Sequence, residues 1–285
     1  MVMTERLIIV DSNSIIHRAF HALPPLTTKS GEQVNAVYGF LLVLFKAIKE
    51  FQPAYIAACF DLPGPTFRHE KYAEYKAKRP KAPEELYQQI PKTKEVLGVF
   101  NIQTFEKQGF EGDDIIGTIS RLSPAENIIL SGDADNLQLI DARTKVYTLR
   151  KGVKDTVLYD EKLVAEKYGG LTPAQLLDFR ALKGDPSDNI PGVPGIGEKT
   201  AIALLKEFGT LENIYENLAL IKLKLRDIIS KNKEQAFLSR ELSTIKKDVP
   251  VDFDLEKCRW GGYNKAKAEE FLEKLEFHSL ISRLP

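Results

Sequence analysis

The sequence predicts an α/β fold with a mostly parallel central sheet and helices on both of its faces. The first observation is that three apolar runs each lead to an acidic residue: residues 7–10 before Asp11, residues 55–60 before Asp61, and residues 127–131 before Asp133. Strands that are apolar throughout, rather than alternating, are typical of parallel sheets buried on both faces. The second observation is that helical segments separate these runs, which favours crossover connections over hairpins.

The remaining elements of the first half follow from apolar periodicity and from proline positions. Residues 35–50 carry apolar side chains at i, i+3, i+4 and i+7, which predicts an amphipathic core helix. The prolines between residues 80 and 91 predict a break before or within a helix over residues 84–100. A short strand over residues 101–106 then leads to a helix whose start, at Glu111, is acidic.

The second half predicts edge strands followed by helices. Residues 145–149 and 156–159 indicate a hairpin or two edge strands, and Asp160 can cap the helix that follows. A further helix begins at Thr172, where a proline occupies the first turn, and the lysine-rich remainder is expected to be helical as well. Five large apolar side chains near the end are expected to cover the core: Trp260, Phe271, Leu275, Phe277 and Leu280.

Composition excludes several classes of protein. The chain has 285 residues, of which 43% are hydrophobic and 28% charged, so it can bury a sizeable core and is not disordered. No apolar run approaches the roughly 20 residues of a membrane span, and residues 1–6 lack a signal-peptide pattern. Cys59 and Cys258 are expected to be reduced thiols in a cytoplasm rather than a disulfide or a metal pair.

The net charge is zero, but the charges are segregated along the chain. Residues 66–81 hold six basic and two acidic side chains, whereas residues 111–141 hold seven acidic and one basic. This pattern suits a polyanion that is held by the basic segment and attacked beside metal ions. Aromatic side chains interleaved with the basic ones predict an exposed, partly mobile segment that can stack on bases, although basic runs can equally be solvated surface.

The acidic strand ends predict a metal centre. Ligands in parallel α/β sheets bind beyond the carboxyl ends of the strands. Carboxylates crowded there raise one another's pKa, and divalent cations relieve that repulsion. Oxygen ligands favour Mg²⁺ or Mn²⁺ over zinc. The carboxylates that carry this prediction are Asp11, Asp61, Asp133 and Asp135.

Several other polar residues are ambiguous when taken alone. Asp113 and Asp114 are better explained individually as acids at a helix N-terminus. His17 and His21 lack a partner at metal-ligand spacing, which favours a surface or core role for each. Arg18 lies within two turns of the first acidic strand end and could meet an anion there, but an ordinary helix-surface arginine explains it equally well.

The segment from residue 184 to residue 201 predicts a helix–hairpin–helix. Gly195-Ile196-Gly197 frees the backbone to turn sharply, and it leaves unpaired N–H groups at a helix N-terminus, which is a natural phosphate site. Such a hairpin grips a duplex backbone without reading bases. Asp185 and Asp188 lead into it and could join the metal centre; an ordinary glycine- and proline-rich turn is the alternative.

Taken in order, these motifs resemble the 5′-nuclease domain of bacterial DNA polymerase I, within the flap endonuclease superfamily. The resemblance extends from residue 7 to about residue 250, and the closing residues 275–280 also match. The motifs that carry it are residues 10–11, 60–61, 67–68, 75–76, 79–80, 111–114, 131–135 and 184–201.

The resemblance implies a PIN-like 5′-nuclease fold with a helical arch, and two Mg²⁺ or Mn²⁺ ions that cleave DNA phosphodiesters at 5′ flaps and 5′ ends. One ion would be held by Asp11, Asp61, Glu111 and Asp113, and the second by Asp133, Asp135 and Asp188 with Asp113 near both. Asp114 and Asp185 would be outer members. Two ions of this kind activate a water and stabilise the leaving oxygen.

The resemblance also implies a set of DNA contacts. Lys76 and Arg79 would act catalytically on the scissile phosphate, with Asp113 as the central metal ligand. Other contacts to DNA would come from Arg18, Phe67, Arg68, Tyr75, Gly195, Gly197, Lys199 and Thr200. A potassium ion would join the hairpin to duplex phosphate through Gly192, Val193, Gly195 and Gly197.

The predicted organisation has two parts. Residues 1–170 would form the catalytic domain, with the arch at residues 62–91, and residues 171–285 the helical DNA-binding domain. The expected protein is a monomer, cytoplasmic and associated with the bacterial nucleoid, that binds no membrane and is fused to or cooperates with a DNA polymerase in replication and repair. Two other functions compete: a DNA-binding module with a vestigial site, and a phosphatase with Asp11 as nucleophile, which Asn13 disfavours.

Overall fold

The computed structural model describes residues 5–285; residues 1–4, which the predicted first domain includes, lie outside it. Within that range six strands form one sheet: β1 Arg6–Asp11, β2 Tyr55–Cys59, β3 Gln103–Phe105, β4 Glu126–Ser131, β5 Thr144–Lys151 and β6 Asp155–Tyr159. Their spatial order is β3-β2-β1-β4-β5-β6, and only the last pair is antiparallel. The mostly parallel sheet with a hairpin at one edge is therefore confirmed.

Fourteen α-helices accompany the sheet in the described part of the chain. They are α1 Ser12–Ala22, α2 Asn35–Phe51, α3 Phe67–Lys71, α4 Glu84–Tyr87, α5 Gln89–Val99, α6 Gly112–Leu122, α7 Glu161–Lys167, α8 Leu176–Lys183, α9 Glu198–Phe208, α10 Leu211–Glu216, α11 Leu223–Lys231, α12 Lys233–Ser243, α13 Lys265–Lys274 and α14 His278–Ile281. None of them combines the length and apolar character that a membrane crossing needs.

The central strands are buried on both faces, as their unbroken apolar runs predict. Alternate side chains of β1 enter different clusters: Ile8 and Val10 pack with α1, α2 and α5, whereas Leu7 and Ile9 pack with α6 on the other face. A third apolar cluster is formed by α8 to α12. The sheet thus fixes the positions of its strand ends from both sides.

The arch region, residues 62–91, is only partly helical. It contains α3, then turns over residues 72–79, then an extended stretch that leads into α4. The predicted helix over residues 84–100 is broken at Gln88, so that Pro91 falls in the first turn of α5, where a missing N–H is tolerated.

The expectation of a helical remainder is wrong for residues 244–264. This stretch contains only a short 3₁₀ turn at Glu256–Cys258, and Pro250 and two consecutive glycines interrupt it. After it, α13 and α14 return to the first cluster, where Leu275, Phe277 and Leu280 are buried and Trp260 and Phe271 pack alongside. These side chains cover the core as predicted. Cys59 and Cys258 are buried free thiols.

Candidate metal centre

Five acidic side chains line one cleft of about 640 Å³ at the carboxyl edge of the sheet: Asp11, Asp61, Glu111, Asp113 and Asp133. The register explains how they meet. Parallel pairing of β1 with β2 and with β4 places the three strand ends side by side. The acidic start of α6 then lies against the end of β2, since the backbone N–H of Gly112 donates to Asp61 Oδ1 at 2.6 Å.

A smaller adjoining cavity extends this cleft towards the C-terminal helices. It is lined by Asp135 and Asp188 together with Glu111, Asp113 and Asp133. Asp185 lies further out, where it shares a separate cavity of about 120 Å³ with Asp135. There the Asp185 carboxylate accepts hydrogen bonds from Ser187 N at 2.9 Å and Ser187 Oγ at 2.6 Å, so it shapes the loop before the hairpin.

Four of these carboxylates, Asp11, Asp61, Asp113 and Asp133, are held by neutral donors alone. Asp11 caps α1 through Ser14 N at 3.1 Å and accepts from Ser131 Oγ at 2.6 Å. Asp113 accepts from Asn136 Nδ2 at 2.8 Å. Among the described residues no ion pair reaches Asp11, Asp61, Asp113 or Asp133. Glu111, Asp188 and Asp135 are each paired with a cation.

Burial raises the pKa of all four groups, and neighbouring carboxylates add to the effect. Burial, with a further contribution from Asp61, raises the pKa of Asp11 to about 6. Burial and the charge of Asp135 raise the pKa of Asp133 to about 7. Burial and the charges of Asp11 and Asp133 raise the pKa of Asp113 well above its usual range. Such a group of oxygen donors fits a hard divalent cation, which would relieve the repulsion.

The arch supplies cations to the other acids. Lys76 Nζ lies 2.9 Å from Glu111 Oε1 and 3.7 Å from Asp188 Oδ2, and Arg79 Nη2 lies 3.0 Å from Asp188 Oδ1. Burial opposes the charged form of Lys76, but Glu111 and Asp188 together outweigh that effect, so the pKa of Lys76 is raised above its ordinary value. Lys76 has φ +55, a left-handed conformation that is unusual for a lysine and turns the chain over the cleft.

The carboxylates of the cleft do not have the arrangement of metal ligands. Within residues 5–285 no group of three or more His, Cys, Asp or Glu side chains is arranged to hold a metal ion. Lys76 and Arg79 lie among these acids and pair with Glu111 and Asp188. The acids therefore share one cleft but need a cation, and some rearrangement of side chains, to converge on a common point.

Tyr75 lies beneath the arch rather than on its surface. It is 3% exposed, and its hydroxyl lies 3.1 Å from Glu111 Oε2 and 3.3 Å from Asp188 Oδ2. In this conformation it positions the two carboxylates that Lys76 pairs with, and stacking on DNA would require the arch to move. Phe67, also expected to contact DNA, packs at the arch base against Phe110, with ring centroids 6.0 Å apart.

Arg68 is buried against Asp114 rather than exposed for a DNA contact, whereas Asp114 caps the N-terminus of α6 as predicted. Arg68 is 2% exposed and Asp114 is fully buried, and two hydrogen bonds of 2.8 Å join the guanidinium to the carboxylate. Arg68 also donates to Leu242 O at 2.9 Å and to Thr244 O at 2.8 Å. A guanidinium used in this way cannot contact DNA; it ties the arch base to α6 and the end of α12.

The hairpin presents only part of its predicted surface. Gly192 N donates to Ser239 Oγ, Gly192 O accepts from Gln235 Nε2, and Val193 N donates to Leu182 O. These groups are therefore not available to a phosphate. Gly195, Gly197 and Lys199 are exposed and Thr200 is half-buried at the start of α9, so this end of the loop is the part open to a ligand.

The first helix contributes to the cleft wall. His17 and His21 line the cleft beside Asp61 and the arch, and His17 is half-buried while His21 is exposed. Burial and the neighbouring His21 lower the pKa of His17. Arg18 Nη2 donates to Leu149 O at 2.7 Å, which holds this side chain against the end of β5.

Sequence reasoning missed Arg180, Asn136 and Ser131. Arg180 in α8 forms an ion pair with Asp135, and Asn136 and Ser131 donate to acids of the centre. Ser131 and Asn136 flank the acidic run that ends β4, so that polar run was a usable signal. Arg180 gave none, because a basic side chain near a helix end is ordinary on a surface.

Comparison with known proteins identifies two matching family models. The "5′-3′ exonuclease, N-terminal resolvase-like domain" matches residues 6–169, and the "5′-3′ exonuclease, C-terminal SAM fold" matches residues 171–266. DNA polymerase I of Bacillus subtilis (strain 168) is 41% identical over 99% of this chain, and that of Caldicellulosiruptor bescii is 44% identical over 98%. The chain spans about a third of each of these relatives, 33% in both cases.

Solved structures share the fold at low sequence identity. The T5 D15 protein co-crystallised with metal ions matches with a TM-score of 0.73 and 20% identity, covering 95% of this chain and 100% of that one. The catalytic core of Rad2 in complex with DNA substrate matches with a TM-score of 0.62 and 18% identity, covering 99% and 93%. These similarities concern the fold alone.

Proposed function

The chain belongs to the 5′-3′ exonuclease family, and on that premise we propose that it is a structure-specific 5′ nuclease. It would act as a 5′→3′ exonuclease and flap endonuclease, hydrolysing DNA phosphodiesters at 5′ flaps and 5′ ends. The observation that carries the proposal is the meeting of Asp11, Asp61, Glu111, Asp113 and Asp133 in one cleft beneath Lys76 and Arg79.

The cofactor we propose is a divalent cation, Mg²⁺ or Mn²⁺, at two positions. Asp11, Asp61, Glu111 and Asp113 would hold one ion, and Asp133, Asp135 and Asp188 the other. The donor set supports this choice, since all of these ligands are oxygens and four of them, Asp11, Asp61, Asp113 and Asp133, carry no ion pair. Bound ions of this kind would activate water and stabilise the leaving oxygen.

The chain's own residues orient the phosphodiester. Lys76 and Arg79 lie over the acids and pair with Glu111 and Asp188. A scissile phosphate that enters the cleft offers these cations a second anion, and they would stabilise the charge that develops on it. Tyr75 would keep Glu111 and Asp188 in place while this exchange occurs.

The DNA duplex would be held away from the cleft by the hairpin before α9. Gly195, Gly197, Lys199 and Thr200 present a helix N-terminus with exposed backbone, which suits a phosphate and a bridging potassium ion. Arg18 would contact a phosphate on the other side of the cleft. We further propose that residues 1–170 form the catalytic domain and residues 171–285 the DNA-binding domain, with α13 and α14 returning to the catalytic core.

The proposed partners are DNA with a 5′ flap, nick or 5′ end, and a DNA polymerase that acts in replication and repair. The polymerase proposal is supported by the relatives, which are DNA polymerases I and about three times the length of this chain. We propose that the protein works as a monomer in the cytoplasm, associated with the nucleoid.

The test is Mg²⁺-dependent digestion of a 5′-labelled flap duplex with the fragment lengths resolved on a gel. Asp113→Ala should abolish cleavage, because Asp113 would lie near both ions. The same variant should leave flap binding within a few fold. Asp252→Asn is the matched control, since the Asp252 side chain is 94% exposed and lies outside the cleft. Wild-type cleavage by the Asp113 variant, or no cleavage by the wild-type protein, would refute the proposal.

A further inference from the structure

Arg180 is a cation built into the acidic centre from outside the arch. Its side chain is 15% exposed and forms an ion pair with Asp135. Burial opposes its charged form, but Asp135, Asp185 and Asp133 outweigh that effect and the pKa of Arg180 is raised. The guanidinium is therefore a permanent positive charge at the Asp135 end of the centre.

The anchoring of Arg180 distinguishes it from the arch cations. Arg79 is 53% exposed in its side chain and lies in the non-helical part of the arch, so it can withdraw towards solvent. Arg180 belongs to α8, whose neighbouring Phe179, Ala181 and Leu182 are buried in the C-terminal apolar cluster. The backbone at Arg180 is therefore fixed by the packing of α8.

The hydrogen bonding of Arg180 is incomplete. Its Nη1 atom is buried and makes no hydrogen bond within residues 5–285. A buried donor without a partner has a cost, so Arg180 is held there by charge rather than by a full set of hydrogen bonds. This contrasts with Arg68, whose guanidinium nitrogens all have partners.

The acids of the centre are consequently unequal. Within residues 5–285, Asp11, Asp61, Asp113 and Asp133 have no cation within ion-pair distance, whereas Asp135 pairs with Arg180. A divalent ion that binds among the acids without an ion pair meets uncompensated negative charge. A divalent ion at the Asp135 end meets a carboxylate that is already neutralised, and it is repelled by the guanidinium beside it.

We propose that Arg180 is a built-in counter-ion that holds Asp135 in position and weakens binding of the second divalent ion. This inference deepens the proposed function and rests on it. The first ion then binds the free protein at the end of the centre that Asp11, Asp61 and Asp113 form. The second binds weakly until the arch cations have been drawn off by substrate phosphate, so that the fully loaded centre forms mainly on DNA.

The decisive measurement is Mn²⁺ binding without DNA, by titration calorimetry and by the electron paramagnetic resonance signal of free Mn²⁺. The wild-type protein should bind one ion tightly and a second more weakly. Arg180→Gln should tighten the second ion by about tenfold or more, since a unit charge a few ångström away acts on that scale at an effective dielectric constant of about 20. Arg180→Lys should resemble the wild type.

Lys183→Gln is the matched control. Lys183 lines the same cavity of about 120 Å³ as Arg180, but it pairs with Glu198 at 3.3 Å and with no acid of the centre. Its replacement should leave both Mn²⁺ affinities within about twofold. Equal effects of the two substitutions would overturn the inference, because they would show a general electrostatic change and not a counter-ion.

Arg180→Gln leaves Asp135 without its partner and can destabilise the fold, so circular dichroism and melting in EDTA accompany each titration. If that variant does not fold, Asp135→Asn is compared with the Arg180→Gln/Asp135→Asn double variant. Arg180 is then the only difference, and the double variant should bind the second Mn²⁺ more tightly. Equal binding by the two would overturn the inference.

The inference and the proposed function fail in different ways. If the protein binds two Mn²⁺ ions and Arg180→Gln tightens the second, but the wild type does not cleave flap DNA, the nuclease function is refuted and the counter-ion role of Arg180 stands. If the wild-type protein cleaves flap DNA but Arg180→Gln leaves the affinity for the second Mn²⁺ unchanged, the proposed nuclease function stands and the counter-ion role of Arg180 is refuted.

Discussion

The buried ion pair at the arch base gives the sharpest prediction, for the substitution Arg68→Ala. Arg68 is 2% exposed and Asp114 is fully buried. The substitution removes two ion-pair hydrogen bonds of 2.8 Å and the donors to Leu242 O and Thr244 O. Asp114 would keep two backbone donors, Glu111 N at 3.1 Å and Lys246 N at 2.8 Å.

The expected cost follows from that geometry. Removing one member of a buried ion pair leaves an uncompensated charge and typically costs about 3–5 kcal/mol. We expect Arg68→Ala to lower the free energy of unfolding by about that amount. Replacing both partners, as in Arg68→Met with Asp114→Asn, should recover part of the loss, because no buried charge is then left unpaired.

The assay is equilibrium unfolding in urea, followed by circular dichroism with EDTA present. Lys71→Ala is the matched control, because Lys71 also joins α3 to α12, through an ion pair with Glu241, but both side chains are more than 40% exposed. An exposed pair of this kind is worth about 0–1 kcal/mol. If the free energy of unfolding of Arg68→Ala instead lies within about 1 kcal/mol of the wild type while flap binding is lost, the structural role is wrong and Arg68 contacts DNA directly.

Three further predictions concern the cleft and the hairpin. Burial and repulsion raise the pKa of Asp133 from 3.8 to about 7, so in metal-free protein its proton stabilises the fold at pH 4 and this contribution is lost as the pH rises to 7. Asp133→Asn should therefore be near neutral at pH 4 and stabilising at pH 8, by on the order of 1–3 kcal/mol in urea unfolding with EDTA; a pH-independent difference would contradict this. Lys76→Ala should lower the single-turnover cleavage rate about 100-fold or more with flap binding within a few fold, whereas exposed Lys78→Ala should not; equal rates for the two variants would count against the role of Lys76. Gly192→Ala should lower the free energy of unfolding by more than about 2 kcal/mol in the same assay, because the added Cβ would lie 2.3 Å from the backbone of Gly184 at φ +62. Gly195→Ala should lower it by about 1 kcal/mol, because its Cβ would meet nothing closer than 4.0 Å. Equal losses would show that the close approach at Gly192 is not what limits the substitution.

Strand ends could be read from the sequence because their signal is local. An apolar run of four to six residues that stops at an acid is visible without knowing its neighbours, and parallel pairing then brings the acids together. Asp11, Asp61 and Asp133 reach one cleft for that reason. The arch was likewise visible as a basic and aromatic segment bounded by prolines.

Side-chain partners were not readable, and the errors fall there. Arg68 carries the same charge as Arg79 in the same segment, yet one is buried against Asp114 and the other lies over the cleft. The glycines of the hairpin look equivalent, yet Gly192 is enclosed and Gly195 is exposed. Residues 244–264 have helical neighbours on both sides but pack as irregular chain.

The sheet, the acidic edge and the family could be predicted from local patterns, because periodicity and motif spacing are properties of neighbouring residues. Which charges neutralise one another depends on contacts between distant parts of the folded chain. Arg68 meets a carboxylate 46 positions further along the chain and a carbonyl 174 positions away. Arg180 meets Asp135 although β5, β6 and α7 lie between them in the sequence. Whether a charged side chain binds a ligand or another side chain depends on the dielectric environment and partners that packing brings to it.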